Sequence, residues 1–368
     1  MFICADCTVT IGQSEPSDSA VVATTQRNAS DDLALLAVLE QHRRDQMHKI
    51  AVGIVTTAAI AWMSQANAAE KVRFAYVVQV HQANMMILDE YARKHGIDLE
   101  VVPMRRYADT QLALMTGQID AAVMGYINVG LMEEKSFRDY RVIAGSFTGG
   151  FGITLANGIE ARKWSDLEGL RLGSAPNSLA ELVFKSTASL GGADLSKIQL
   201  VSFTTGGPPM LAALKSREID GFILWEPNNA EAALGKYGHY SSLDITAPTQ
   251  GINGLIAVNS AYLQSKRPAV VSLVRAVVDA TNALNSDFER YVDVAVRGTG
   301  STRDVVRESI PHGALDYRLY AKQAKVLLKI LHEAKITGTD TSPAVDAQFE
   351  YSVLTEVTGQ PKTLLGGL

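Results

Sequence analysis

Leu114-Met-Thr-Gly-Gln-Ile-Asp120 and Leu214-Lys-Ser-Arg-Glu-Ile-Asp220 are one turn written twice, sharing the Leu, the Ile-Asp pair and a Gln or Glu before it. Each closes a stretch with helical spacing (109–116 and 208–215) and opens an apolar strand, Ile119–Met124 and Ile219–Trp225. Gly117 suits the left-handed position that follows a helix, whereas Arg217 in the same place is costlier, so the second copy has drifted. The repetition reads as a duplicated α/β unit; chance likeness between two helix-to-strand turns is the alternative.

Outward from these turns, strand and helix patterns alternate. Val72–Val80 is rich in β-branched and aromatic residues, Ala83–His95 has helical spacing and ends at Gly96, and Leu99–Pro103 is a second strand. Further strands follow at Arg141–Ala144 and Gly152–Ala156, and the pattern restarts with Leu170–Ser174, Ala180–Leu190 and Ile198–Phe203. Such alternation predicts mostly parallel sheets with helices on their faces. After the apolar stretch Ile252–Asn259 the remainder is helical, with apolar faces over Ala269–Asn285 and Leu319–Ala334. These helices are expected to pack back on the first lobe. The chain then crosses between lobes near 155 and near 250, giving lobe one as 69–155 plus 251–368 and lobe two as 156–250. Two short crossings make a hinge.

The N-terminal segment reads as an export signal. Met47-His48-Lys49 precedes an uncharged, largely apolar run, Ile50–Met63, and Ala66-Asn67-Ala68 supplies small residues for cleavage after Ala68. The run is shorter than the roughly 20 residues of a membrane span. A signal peptide over 47–68 makes Met47 the expected start; a long extension over 1–46 is the alternative. Both cysteines, Cys4 and Cys7, lie in that extension, so the mature chain from Ala69 has no disulfide and no thiol nucleophile. The expected location is the periplasm.

Composition narrows the function. A hydrophobic content of 47 % in 368 residues supports a large core, and a net charge of -5 gives no footprint for nucleic acid or anionic lipid. The sequence contains no HExxH, no GxSxG and no Walker loop, and its 7 His are scattered. No cofactor or metal is expected.

Ligands of open α/β sheets lie beyond the carboxyl ends of strands, where helix N-termini offer free N–H groups. Gln79, His81, Gln82 and Asn84 follow the first strand, as ligand donors or as turn and capping residues. Arg105 and Arg106 follow the second, with Asp109 as a candidate cap; either Arg could clamp a carboxylate or sulfonate, or lie solvated. Tyr126 and Asn128 follow the third, Tyr126 as pocket wall or core. Thr148, Gly149 and Phe151 lie near the first crossing, Asn177 and Ser178 before a helix, and Trp225 and Glu226 at a strand end. Beside an anion Glu226 would be repelled, so it pairs internally or accepts from an ammonium group.

The run Trp164-Ser-Asp-Leu-Glu-Gly-Leu-Arg-Leu-Gly-Ser-Ala-Pro-Asn-Ser178, with Ala213–Asp220 and Trp225-Glu-Pro227, resembles the nitrate, sulfonate and taurine type of ABC transporter substrate-binding proteins. The resemblance covers roughly 71–290. It implies a two-lobed, hinge-connected type II periplasmic-binding fold, contacts from the turns after the first and third strands, from Asn177-Ser178 and from the Trp225 region, and a permease partner in the inner membrane. Two departures, Gln79-Val80-His81-Gln82 after the first strand and Ile127-Asn128 where relatives often carry Pro, shift the expected ligand from taurine or nitrate toward an aromatic or branched organic anion against Tyr126, Phe151 and Trp225. The expected protein is a monomeric binder without chemistry. Alternatives are an enzyme on the same fold, desulfinase-like or making a cofactor precursor with His81 as acid or base, and a ligand-sensing partner of a membrane protein.

Overall fold

The computed structural model describes residues 69–368 apart from Thr205, together with Gln41, Arg43 and Arg44. The expected signal segment, the Met47 start and Cys4 and Cys7 lie outside the described residues.

Two mixed sheets organise the chain. The first contains β1 (Glu70–Val77), β2 (Ile97–Met104), β3 (Ala121–Gly125) and β4 (Tyr140–Gly149). The second contains β5 (Phe151–Ala156), β6 (Arg171–Ser174), β7 (Gln199–Ser202), β8 (Gly221–Trp225) and β9 (Gly238–Tyr240). The chain then returns with β10 (Ile252–Asn259) and β11 (Gly313–Leu315), so the strand orders are β11-β4-β10-β3-β1-β2 and β7-β6-β8-β5-β9. This is the expected two-sheet α/β architecture, with one correction to the expected parallel pairing. β1 pairs parallel with β2 and β3, but β10 inserts between β3 and β4 antiparallel to both, and β5 runs antiparallel to β8 and β9. A strand that re-enters a sheet straight from the other sheet needs no helical crossover, and antiparallel entry follows.

The repeated turn is a repeated clamp. Asp120 Oδ2 accepts from the backbone N–H (2.8 Å) and Nε (3.1 Å) of Arg73, and Oδ1 accepts from its Nη2 (2.6 Å). Asp220 does the same to Arg171, at 2.8, 3.0 and 2.9 Å. In each case the Asp N–H bonds back to the Arg carbonyl, at 2.9 and 2.8 Å. Each carboxylate therefore ties the start of the strand after the turn to the strand beside it, β3 to β1 and β8 to β6. The drift is visible too: Gly117 has φ +69° and Arg217 φ +64°, the left-handed conformation in both copies. The carbonyl of Arg217 accepts from Arg171 Nη2 at 2.8 Å, a contact that offsets part of the strain.

Beneath the first sheet pack Phe74, Met85, Leu88 and Met124, all buried; the second buries Leu172, Phe184, Ile223 and Phe222. The long helix Arg267–Asn285 has Pro in its first turn and buries Val270, Leu273, Val274 and Val277 along one face, as its apolar spacing predicts. It packs on the helix Leu88–Lys94, while Tyr351–Thr358 lies on β4 and Ala321–Glu333 on Ile127–Glu134. The C-terminal helices thus cover the first sheet. Two of them also reach the second half: Arg303–Ser309 packs on Asn228–Leu234, and Ala321–Glu333 on Leu179–Leu190.

The chain leaves the first sheet at Gly149-Gly150, earlier than the crossing expected near 155, because Phe151–Ala156 already pairs with β8. It returns between Tyr240 and Ile252. The crossings touch: the Gly149 N–H donates to Gly251 O at 2.6 Å. Gly149 and Gly150 have φ +66° and +76°, and a Cβ on Gly150 would sit 2.6 Å from His81 Nδ1. Only glycine fits there.

The clamp gives a first test. Arg171 beside Asp220 holds the Asp220 carboxyl below its ordinary value, so its contribution is present above the unfolded pKa of about 4 and is lost as pH falls through the folded value. Asp220→Ala is expected to lower stability by about 1–3 kcal/mol at pH 7 in urea unfolding, with the deficit against wild type shrinking below pH 4.

Candidate ligand-binding cleft

The carboxyl ends of β1, β3 and β4 and those of β6 and β8 carry most of the residues singled out from sequence. After β1 the chain forms a single 3-10 turn, Val80–Gln82, rather than continuing as strand. Gln79 lies half-buried before it, and its carbonyl accepts from the Gln82 N–H at 3.0 Å. His81 is packed inward, 2 % exposed, its ring stacked on Phe147 with centroids 6.4 Å apart and its Nε2 3.3 Å from Ile310 O. Burial pushes its imidazole down to about 4, so it is neutral at pH 7. Gln82 is fully buried; its Nε2 donates to Tyr107 Oη at 2.6 Å, and its Oε1 has no partner among the described residues. Asn84 donates to Thr281 Oγ1 at 2.9 Å and to Ser146 O at 3.3 Å, fastening the turn to the helix Arg267–Asn285 and to β4.

The other first-half residues divide in the same way. Arg106, 76 % exposed in its side chain, pairs with Asp109 at 2.8 Å. It is itself the residue before the helix Tyr107–Met115, in extended conformation, so Asp109 lies inside the first turn instead of capping it. Tyr126 is core: its ring tilts against Phe349 and its hydroxyl accepts from the Tyr320 N–H at 3.4 Å. Buried Asn128 closes the turn after β3, accepting from the Gly125 N–H (2.9 Å) and donating to Gln111 Oε1 (2.6 Å). Thr148 and Gly149, both half-buried, end β4, and Gly149 O accepts from Asn253 Nδ2 at 2.9 Å.

In the second half, Ser178 is the N-cap of the helix Leu179–Leu190, its hydroxyl accepting from the Glu181 N–H at 3.3 Å. Asn177 is exposed with φ +58° and borders a groove between that helix and Ile330–Ile336, away from Glu226. Trp225 ends β8 half-buried, its carbonyl accepting from Asn228 Nδ2 at 2.9 Å.

Glu226 is the centre of a polar contact between the halves. It is 4 % exposed; Oε1 accepts from Tyr240 Oη (2.9 Å), and Oε2 from the Ala230 N–H (3.1 Å) and Ser309 Oγ (3.2 Å). Ser309 ends the helix Arg303–Ser309, and three residues on His312 stacks face to face on Tyr240, centroids 3.8 Å apart at 16°. Gly150 stands between them: its N–H donates to His312 O at 2.7 Å and its carbonyl accepts from the Glu226 N–H at 2.9 Å. Residues 303–312 therefore form a strap, joined through β11 to β4 of the first sheet and held by side chains to the second half. Asn229, Tyr240, Ser309 and His312 escaped sequence reasoning. Asn229 sits just beyond the recognisable strand β8, but Tyr240 ends the short β9, which the alternation does not mark, and nothing local marks Ser309 or His312. Among the described residues no group of His, Cys, Asp and Glu is placed to hold a metal, and no helix is long and apolar enough to cross a membrane.

A family model described as the NMT1-like family matches residues 65–296. A search of the curated proteins finds no match to the sequence. Among solved structures, the fold is similar to the ligand-binding component of an ABC-type import system from Staphylococcus aureus (16 % identity, 79 % of this chain and 100 % of that one, TM-score 0.66). It is similar to the periplasmic aliphatic sulphonate-binding protein SsuA from Escherichia coli (15 %, 76 % and 97 %, 0.66). It is also similar to the periplasmic nitrate-binding protein NrtA from Synechocystis PCC 6803 (14 %, 79 % and 89 %, 0.67). These structures share the periplasmic-binding-protein fold with this chain.

Desolvation pushes the Glu226 carboxyl up to about 7, against the opposing bonds from Tyr240, Ala230 and Ser309. A carboxyl raised in the folded state costs stability when it ionises, so that cost grows as pH rises from the unfolded value near 4.5 through 7 and is constant above. Glu226→Gln, which cannot ionise, is expected to gain on wild type by up to about 3 kcal/mol between pH 5 and pH 8 in paired thermal melts.

Proposed function

The chain belongs to the NMT1-like family, and from that premise we propose that it is the solute-binding protein of an ABC importer, capturing a small organic molecule between its two halves and passing it to a permease. The observation that carries this reading is the pair of hydrogen-bonded crossings at Gly149 and Gly251, which join two α/β halves, each built on its own sheet, along one edge. Bodies joined so can rotate about the edge and close on what lies between them. The sulphonate- and nitrate-binding structures of the same fold support this reading, and their printed ligands favour an anionic solute. With Arg106 turned to solvent and paired to Asp109, the anion would be held by uncharged donors such as Gln79 and by the helix that starts after Ser178. A leader over 47–68, export to the periplasm and action as a monomer complete the proposal.

Catalysis on the same fold is the second reading. His81, its only sequence candidate, has no open face: Phe147, Gly150, Gly313 and Ile310 surround it. A packed, neutral imidazole of this kind favours a binder over an acid-base catalyst.

A thermal-shift screen against alkanesulfonates, nitrate and aromatic carboxylates tests the proposal. A true ligand at a hundredfold excess over Kd adds about 2.7 kcal/mol of stability, is recovered unchanged, and shrinks the radius of gyration in solution scattering. Trp225→Ala is expected to weaken binding at least tenfold, a larger effect than its loss of core packing has on the melting temperature of the unliganded protein. A stabilising compound that is consumed would instead mark an enzyme.

A further inference from the structure

Resting on the solute-binding reading, we propose that the cavity between the second sheet and the strap is a site for a small ligand bearing an ammonium group. The cavity has a volume of ≈ 280 Å³, at the small end for ligand sites and right for a compound of a few heavy atoms. Its walls come from both halves: Phe151 and Ile153 of β5, Tyr240 at the end of β9, Asp244 and Thr246 of the return crossing, and His312 of the strap. A ligand there touches both crossings and the strap.

Charge selects the ligand. Glu226 and Asp244 line the cavity, and no Lys or Arg does. The one basic group, His312, lies flat on Tyr240, and burial pushes its imidazole down, so it supplies no counter-charge to an anion. The donors around Glu226 are two hydroxyls and a backbone N–H, all uncharged. A carboxylate buried among neutral donors is an uncompensated charge, and such groups are normally paired. A ligand cation supplies the missing partner. An anion in the same place meets repulsion from the buried Glu226 carboxylate and, screened by solvent, from the exposed Asp244.

The pairing carries a proton signature. Glu226 must ionise to accept an ammonium group, so affinity rises with pH through the region around 7, where its buried carboxyl titrates. The other ionisable groups near it are Tyr240 on β9, Asp244 on the return crossing, Glu308 and His312 on the strap, and His81 beneath His312. Tyr240 is held far above pH 8 by burial, His81 is pushed down to about 4 and burial lowers His312 as well, so Glu226→Gln isolates the part of the pH dependence that belongs to Glu226.

Calorimetric titration of the full chain with matched pairs decides the matter: ethanolamine against glycolate, and taurine against isethionate, at pH 6 and pH 8. The ammonium member of each pair is expected to bind at least tenfold more tightly, and more tightly at pH 8 than at pH 6. Glu226→Gln should cut that affinity at least tenfold and abolish its pH dependence, and Asp244→Asn, which keeps an oxygen to accept from the N–H and hydroxyl of Thr246, should weaken it by a smaller factor. Equal binding within the pairs, preference for the anions, or indifference to both variants overturns the ammonium site while leaving solute capture intact. Silence from these pairs together with nitrate and the alkanesulfonates overturns both.

Discussion

A carboxyl group taken out of water must find donors, and Glu226 finds them on three separate pieces of chain. That requirement organises the middle of the molecule. The hydroxyl of Tyr240 places the end of β9, the N–H of Ala230 places the helix after β8, and Ser309 draws the strap across from the first half. Gly150 runs through the same spot, bonded by its N–H to the strap and by its carbonyl to the backbone of Glu226. The relation between the two halves is thus set at the joining edge by a compact group of neutral hydrogen bonds, with an aromatic stack of Tyr240 and His312 laid over them.

The crossing itself is steric as much as polar. A Cβ on Gly149 would come 2.6 Å from His312 O, and one on Gly313 would come 2.8 Å from His81 Nε2. Backbone, imidazole and strap are so close here that side chains are excluded at successive glycines, and His81 fills the space they leave. The histidine that looked from sequence like a ligand donor is spent on this packing, just as Asn128 is spent on the turn after β3 and Tyr126 on the core. Small polar residues after a strand have both uses open to them, and only the surroundings decide.

What was legible in the sequence was local. The duplicated Ile-Asp turns are real counterparts, down to the shared left-handed residue, because a turn and its neighbouring strand start are written within a few positions. Apolar spacing placed the long helix and β10 correctly, since burial on one face leaves its period in the sequence. The partners of the two Asp residues, Arg73 and Arg171, were not read, as they lie 47 and 49 residues away. Nor could the antiparallel entry of β10 or the strap be read. Periodicity says that a strand is buried on both faces and nothing about which strands flank it. Ser309 and His312 serve the second half from a segment that is otherwise ordinary helix and turn.

The place of β10 also governs the order in which the protein can be assembled. The second sheet is complete once residue 240 exists, and its clamp spans only 49 residues, so that half can close on itself early. The first sheet cannot: β3 and β4 face each other across a gap that only residues 252–259 fill. Until the end of β10 leaves the ribosome, two bare strand edges of the earlier half stand open side by side, and it is there that a chain in synthesis is most exposed to pairing with another copy of itself.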